Sequence, residues 1–309
     1  MEWRHRSLIS LEGWTREELI FFLEQTDYMD ELIDRPIKKA PALRGKVVMN
    51  CFFENSTRTR SSFELAGKIL SADVINWSSP GSSTNKGETL RDTVWTLEAM
   101  GVDGVVVRHG SVGVPAYLDK KLKSASIFNA GDGAHGHPTQ ALLDLHSARK
   151  KLGSLEGAKM AMVGDVLHSR VARSDIQAFT KMGAKVVLSG PSTLMPEDTE
   201  ALGVEYVPDA SEAVREANIL YFLRIQQERM DDGLIPSIDE YHRRWGASEK
   251  LVALAGKDAL VMHAGPINRG VEISSLVADG PGSLILDQVR SGVAVRMALL
   301  YLCLGGARQ

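Results

Sequence analysis

Two sets of four short apolar runs, with helix-forming stretches in the intervals, organise this chain. The first set covers 46–53, 73–77, 104–107 and 126–129; the second covers 159–163, 185–188, 218–223 and 259–262. The runs are apolar at successive rather than alternate positions, which predicts strands buried on both faces. Helical stretches at 88–100, 139–151 and 170–182 lie between them. That alternation predicts an α/β fold of two domains, each a parallel sheet flanked by helices. Thr15 with Glu18 makes a capping box ahead of an opening helix. The sets divide near Gly131-Asp132-Gly133-Ala134-His135-Gly136, and Pro138 suits the first position of a new helix. The domains are therefore expected at 1–137 and 138–284. A last apolar helix, about 284–304, either extends the second domain or packs back on the first.

A chain of 309 residues suffices for two cores of ordinary size. Its net charge of −3 is unlike the basic footprint of a bulk nucleic-acid binder. No run approaches the ~18 apolar residues of a membrane span, and Met1 to Arg6 lacks the apolar stretch of a signal peptide. Cys51 and Cys303, far apart in sequence, suit a reducing compartment. A cytoplasmic protein is expected, with no nucleic-acid or membrane partner.

The junction after the first run carries the strongest chemical signal. Val47 to Phe53 reads as a buried strand, and Phe63, Ala66, Ile69 and Leu70 repeat at helical spacing. Ser56-Thr57-Arg58-Thr59-Arg60 thus occupies a strand-to-helix turn. There the first backbone N–H groups lack intrahelical acceptors and the dipole favours negative charge. A lone Ser-Thr-Arg would read as an N-cap with solvated arginines. Five consecutive hydroxyl and guanidinium residues read as a phosphate site.

Cations and histidines recur at the other strand ends. Arg108-His109 follows the third run and His137-Pro138-Thr139-Gln140 the fourth; Lys86 lies in the polar loop after the second. In the second half, Gly164-Asp165 leads to His168-Ser169-Arg170, and Arg224-Ile225-Gln226 to Arg229. His263 to Gly270 follows the last run. Loops at the carboxyl ends of parallel strands are where such sheets bind ligands. Taken singly, Arg108, His137 and Lys86 would pass as a strand-end charge, a capping histidine and a solvated lysine; together they are site candidates. Arg173, Arg243 and Arg244 read as surface or structural charges.

Two patterns are set aside. Gly131 to Gly136 spells G-x-G-x-x-G, but that fingerprint needs an acid about 20 residues on, at the next strand end. Glu156 precedes that strand and Asp165 lies too far along. His135, His137 and His146 have neither thiols nor a matched carboxylate pattern, so no metal site is expected.

Jointly, Phe52 to Glu64, Lys86-Gly87-Glu88-Thr89, His137 to Gln140, Arg224 to Gln226 and Gly265 to Gly270 resemble the aspartate carbamoyltransferases, almost end to end. The first and third segments are shared with ornithine carbamoyltransferases. That sister family has a cysteine in a His-Cys-Leu-Pro segment, where this chain has His263-Ala264-Gly265-Pro266. The resemblance implies transfer of the carbamoyl group of carbamoyl phosphate to L-aspartate, an early step of pyrimidine synthesis, with no cofactor. It also implies that residues 285–309 return to the first domain. The alternatives are a sister carbamoyltransferase with another amine acceptor, or a non-catalytic anion-binding subunit.

Carried over by position, the resemblance assigns phosphate to Ser56, Thr57, Arg58 and Thr59, and leaves Arg60 a structural role. Thr59, Arg108 and His137 would face the carbamoyl oxygen, and Gln140 with the backbone at Ala264, Gly265 and Pro266 would orient the carbamoyl NH2. Arg170, Arg224 and Gln226 would hold the aspartate carboxylates. Ser82 and Lys86 would reach a neighbouring subunit's site, making a homotrimer the active unit. Glu54 would pair with Arg170 and Arg229 on domain closure. Ala264 stands where the family usually has proline, which predicts a less rigid loop, and Gly265-Pro266 is a candidate cis peptide. Family members occur as bare trimers, with regulatory chains or with dihydroorotase partners, and nothing in these residues distinguishes the three.

Overall fold

The computed structural model of the chain describes residues 2–78, 89–226, 233–235 and 237–305. Two compact units emerge, Met1–Leu143 with Arg290–Gln309, and Asp144–Val289. In chain order the first runs α1 (Arg16–Ile33), β1 (Val47–Phe52), α2 (Thr57–Ile69), β2 (Asp73–Ser78), α3 (Leu90–Ala99), β3 (Gly104–His109), α4 (Val114–Asp119), β4 (Ser126–Asp132) and the start of α5 (Pro138–Leu152). Its strands form a parallel sheet ordered β2-β1-β3-β4. The second unit contains β5 (Lys159–Val163), α6 (Arg170–Lys181), β6 (Lys185–Ser189), β7 (Glu205–Tyr206), α7 (Ala210–Ala213), β8 (Ile219–Phe222), α8 (Ile238–Trp245), α9 (Glu249–Val252), β9 (Leu260–Met262), α10 (Ser275–Ala278) and the start of α11 (Ile285–Leu304). Its parallel sheet is ordered β7-β6-β5-β8-β9. This is the α/β architecture that the alternating runs predict.

Burial on both faces explains the uninterrupted apolar strands. Val105, Val106 and Val107 of β3 are all fully buried. Val105 and Val107 pack with Met49, Leu97 and Ile127 on one face. Burying each such side chain stabilises by about 1.5–3 kcal/mol. The opening helix has its capping box: Thr15 Oγ1 accepts the Glu18 amide at 3.2 Å, and Glu18 Oε2 accepts the Thr15 amide at 2.8 Å.

The last helix packs on the first unit, as one of the two readings of its sequence has it. Arg290 of α11 bonds Asp30 at 2.8 Å and Asp34 at 2.7 Å beside α1. Further along, Leu304 lies against Gly104 and Leu300 near Gly67. A Cβ at Gly104 would meet Phe128 at 2.9 Å, so a side chain there has no space.

Strand ends differ from the sequence reading. The ladder continues through Arg108-His109 and Gly131-Asp132, beyond the apolar runs that ended at 107 and 129. Hydropathy stops at the first polar side chain, whereas backbone pairing does not depend on it. β7, two residues long, carries no periodicity to detect.

Cys51 and Cys303 are free and buried. Burial pushes the Cys51 thiol up to about 12, so it is inert near neutrality. In the second unit, Asp175 is wholly buried, and desolvation together with the Asp144 carboxylate raises its pKa well above the usual carboxylate range. Asp144 itself accepts from Tyr221 Oη at 2.8 Å and from Gln288 Nε2 at 2.6 Å. Folded Asp175 therefore keeps a proton that the unfolded chain releases above about pH 4. Stability falls as pH rises from there towards the raised folded-state value. Asp175→Asn, which removes the charge and keeps the shape, is expected to raise the unfolding midpoint at alkaline pH and by less in mild acid. Thermal unfolding of both proteins across that range checks this; a gain that shrinks with rising pH would contradict it.

Candidate active site

In the first unit the residues expected to bind carbamoyl phosphate follow or end β1, β3 and β4, which are adjacent in the sheet. Ser56 is the N-cap of α2, yet its side chain makes no capping bond. Thr57, Arg58 and Arg60 are exposed in the first turn, while Thr59 is buried. The Ser56 hydroxyl is thus not consumed by capping its own helix.

Arg108 is aimed by an irregularity in the β3–β4 ladder. Val107 pairs Asn129 but His109 pairs Asp132, so two residues of β4 oppose Arg108 alone. Gly131 takes φ +120° there, backbone that suits glycine. Arg108 Nη1 donates to the Ala130 carbonyl at 3.2 Å, and its Nε lies 3.4 Å from Glu54 Oε2. Glu54, read from sequence as a closure residue, thus also braces Arg108. His109 serves its own loop. Its Nδ1 accepts the Ser111 amide at 2.9 Å, and burial lowers its basicity against the opposing effect of Glu54.

His137 is buried immediately before α5, whose first residue is Pro138 as predicted. Its carbonyl accepts the amide of Gln140, also buried, at 2.9 Å. Thr139 Oγ1 lies 3.5 Å from His137 Nδ1 and accepts from Arg296 of α11 at 3.3 Å.

The G-x-G-x-x-G segment is a braced turn. Asp132 accepts the Gly113 amide at 3.0 Å, Asn129 Nδ2 at 3.0 Å and His135 Nδ1 at 3.1 Å. Among the described residues no cluster of three or more His, Cys, Asp or Glu could hold a metal ion.

In the second unit the carboxyl ends of β5, β8 and β9 are likewise adjacent in the sheet. After β5, Gly164 takes φ +130°, and a Cβ there would meet the Leu223 carbonyl at 2.7 Å. That close approach places Asp165, fully buried, between two loops. Its Oδ1 accepts the His168 amide at 3.1 Å and the His168 ring at 2.9 Å, and its Oδ2 accepts the Gln226 amide at 3.2 Å. Sequence reading weighs Asp165 only as a ribose acid. Its actual work is to clasp the loop leading to Arg170 to the loop that carries Arg224, across 61 positions.

Arg170 is buried at the first position of α6, whose N-cap Ser169 accepts the Ala172 amide at 3.2 Å. A guanidinium at the positive end of a helix is unfavourable by itself, so this placement selects for an anion beside it. Arg224 Nη2 donates to Gln226 Oε1 at 2.8 Å, which sets the plane of its fork. The Gly265-Pro266 bond is cis, as its sequence suggests, and Gly265 takes φ +62°.

Other cations are accounted for structurally. Arg269 makes two 2.7 Å bonds to Asp279, and Arg243 and Arg244 are exposed on α8. Ser82, Lys86 and Arg229 lie outside the described residues.

The family model described as "Aspartate/ornithine carbamoyltransferase, carbamoyl-P binding domain" matches residues 6–150, and that of the "Asp/Orn binding domain" matches 156–303. The chain belongs to the aspartate/ornithine carbamoyltransferase family. It is 55% identical over 305 residues to the aspartate carbamoyltransferase catalytic subunit of Anaeromyxobacter sp. (strain K), covering 98% of this chain and 97% of that relative. Among solved structures it is similar to aspartate transcarbamoylase from Trypanosoma cruzi in complex with carbamoyl aspartate and phosphate. There the TM-score is 0.88 at 31% identity, covering 98% of this chain and 97% of that one. It is also similar to ornithine carbamoyltransferase from Pyrococcus furiosus, with a TM-score of 0.87 at 27% identity and full coverage of both chains. Both carbamoyltransferase branches therefore share this backbone, and side chains distinguish their acceptors.

Proposed function

We propose that this chain transfers the carbamoyl group of carbamoyl phosphate to the amino group of L-aspartate, giving N-carbamoyl-L-aspartate and phosphate in pyrimidine biosynthesis. The α2 N-terminus, with Ser56, Thr57, Arg58 and Thr59, receives the phosphate. Thr59, Arg108 and His137 face the carbamoyl oxygen, where negative charge grows as the amine attacks. Gln140 and the backbone carbonyls of Ala264 and Gly265 orient the carbamoyl NH2. No side-chain nucleophile is required, because holding two substrates side by side removes much of the entropic barrier. The departing phosphate takes the amine proton.

One observation carries the choice of acceptor: Asp165 clasps the loops of Arg170 and Arg224 together, and Gln226 orients the latter. Two arginines whose loops are tied to a common carboxylate suit an acceptor with two carboxylates, and forked donors match each of them. An acceptor bearing a second ammonium group would meet like charge. The 55% identity to an aspartate carbamoyltransferase catalytic subunit supports the same reading.

The active form on this reading is a cytoplasmic homotrimer, with Ser82 and Lys86 completing a neighbour's site. Two buried free thiols accord with a reducing compartment. No helix among the described residues is long and apolar enough to cross a membrane. Incubation with carbamoyl phosphate and a panel of amino acids tests the function. Carbamoyl product is expected with aspartate and at most traces with ornithine; efficient ornithine carbamoylation would transfer the chain to the sister activity.

A further inference from the structure

The loop after β9, which the proposed function makes responsible for the carbamoyl NH2, is gripped by a buried pair that the reaction scheme does not use. His263 and Glu272 are 2% and 1% exposed. The Gly265 amide donates to His263 Nδ1 at 2.7 Å, and His263 Nε2 lies 3.2 Å from Glu272 Oε1. The same Oε1 accepts the Asn268 amide at 2.5 Å. A third tether holds the loop's origin: the His263 amide donates to Gln288 Oε1 at 3.0 Å, and Gln288 Nε2 donates to Asp144 at 2.6 Å.

The donors decide the state of the imidazole. A backbone N–H can only donate, so His263 Nδ1 must accept with its lone pair, and the ring proton sits on Nε2. That Nε2–H then donates to Glu272. Protonating the ring would set an Nδ1–H against the Gly265 amide. One carboxylate oxygen therefore secures both ends of the turn, Gly265 through the imidazole and Asn268 directly. Gly265, at φ +62°, lies beyond the end of β9 and outside its hydrogen-bond ladder. Its conformation rests on these side-chain tethers.

We propose that Glu272 is a positioning residue for carbamoyl transfer, acting through Nε2-protonated His263 and the Asn268 amide to keep the 264–267 backbone in its working conformation. The proposal rests on the functional reading above. It separates from ordinary core packing because a packing role lowers stability, whereas a positioning role lowers turnover per folded molecule.

The test compares Glu272→Ala and Glu272→Gln by kcat and KM per folded protein, alongside nitrogen-resolved NMR of the wild-type histidines near neutral pH. The His263 signal is assigned by its loss in His263→Gln. Glu272→Ala is expected to lose about ten- to a hundredfold in kcat, the scale of a small misplacement of reacting groups. The amide of Glu272→Gln still offers an oxygen to both donors, so kcat should return to within a few-fold of wild type. His263 is expected as the neutral Nε2–H tautomer. If Glu272→Ala does not fold, Glu272→Asp replaces it, withdrawing the acceptor by one methylene, with the same direction expected. Unchanged kcat in the truncated variant, a Gln variant as impaired as Ala, or a cationic or Nδ1-protonated His263 would each overturn the proposal. A wild-type protein that releases no phosphate from carbamoyl phosphate with aspartate would instead overturn the functional reading, and the tautomer measurement tells the two failures apart.

Discussion

Arg58→Ala is expected to lower kcat by about 10²–10³-fold, the scale seen when one preorganised donor to a developing charge is removed. Arg58 is the second residue of α2, exposed at the helix N-terminus beside a Ser56 side chain that does not cap. As the bond to the leaving phosphate breaks, its negative charge grows. A guanidinium that strengthens its hold during that step lowers the barrier more than it lowers the ground state. The loss should therefore fall mainly on kcat, with KM for aspartate little changed. Stability should change little, because an exposed side chain buries no core surface there. Arg58→Lys should restore only part of the rate, since an ammonium supplies charge without the planar fork. Steady-state phosphate release and thermal unfolding check all three statements. A loss under about tenfold in Arg58→Ala would shift the phosphate-binding work to the backbone amides and hydroxyls.

Arg224→Ala should act on the other substrate. Charge-assisted hydrogen bonds contribute about 1.5–3 kcal/mol each, so losing a two-pronged contact should raise KM for aspartate by roughly 10²-fold or more. KM for carbamoyl phosphate should stay near its wild-type value, because Arg224 is not among the residues assigned to that substrate. Gln226 loses its partner at 2.8 Å in this variant, so part of the effect comes through disorder in the loop tied to Asp165. Gln226→Ala separates the two contributions: a rise much smaller than that of Arg224→Ala places the main effect on the guanidinium. Initial rates over a grid of both substrates give the two KM values. An equal rise for both substrates would show that Arg224 supports the fold of the site and not the acceptor alone.

The readable parts of this protein were those encoded locally. Runs such as Val105-Val106-Val107 announce a strand buried on both faces, and each fully buried residue of β3 bears that out. The Ser56 to Thr59 turn was readable as a strand-to-helix junction because an apolar run precedes it and helical spacing follows it. Strand ends were less so. Arg108 and His109 continue the β3 ladder although hydropathy stops before them. Long-range pairings left no periodic trace. Nothing near Glu54 indicates its approach to Arg108, which depends on the β3–β4 irregularity. Arg269, a cation in the loop after β9, is taken up by Asp279. Asp165 and Glu272 were legible as residues but not as organisers, because their partners lie on loops that meet only after folding.

Sequence alone determined the alternation of strands and helices and the residue types at each strand end, and so a chemistry of anions. Those properties follow from side-chain periodicity and backbone polarity within a few residues. The tertiary structure decided which of those side chains are already spent on protein partners. It settled that Arg108 is braced by Glu54 and the Ala130 carbonyl, and that Arg170 and Arg224 have their loops tied to one buried carboxylate. It also turned the last helix onto the first unit. A side chain's direction is fixed by contacts far along the chain, and these exist only once the sheets have formed.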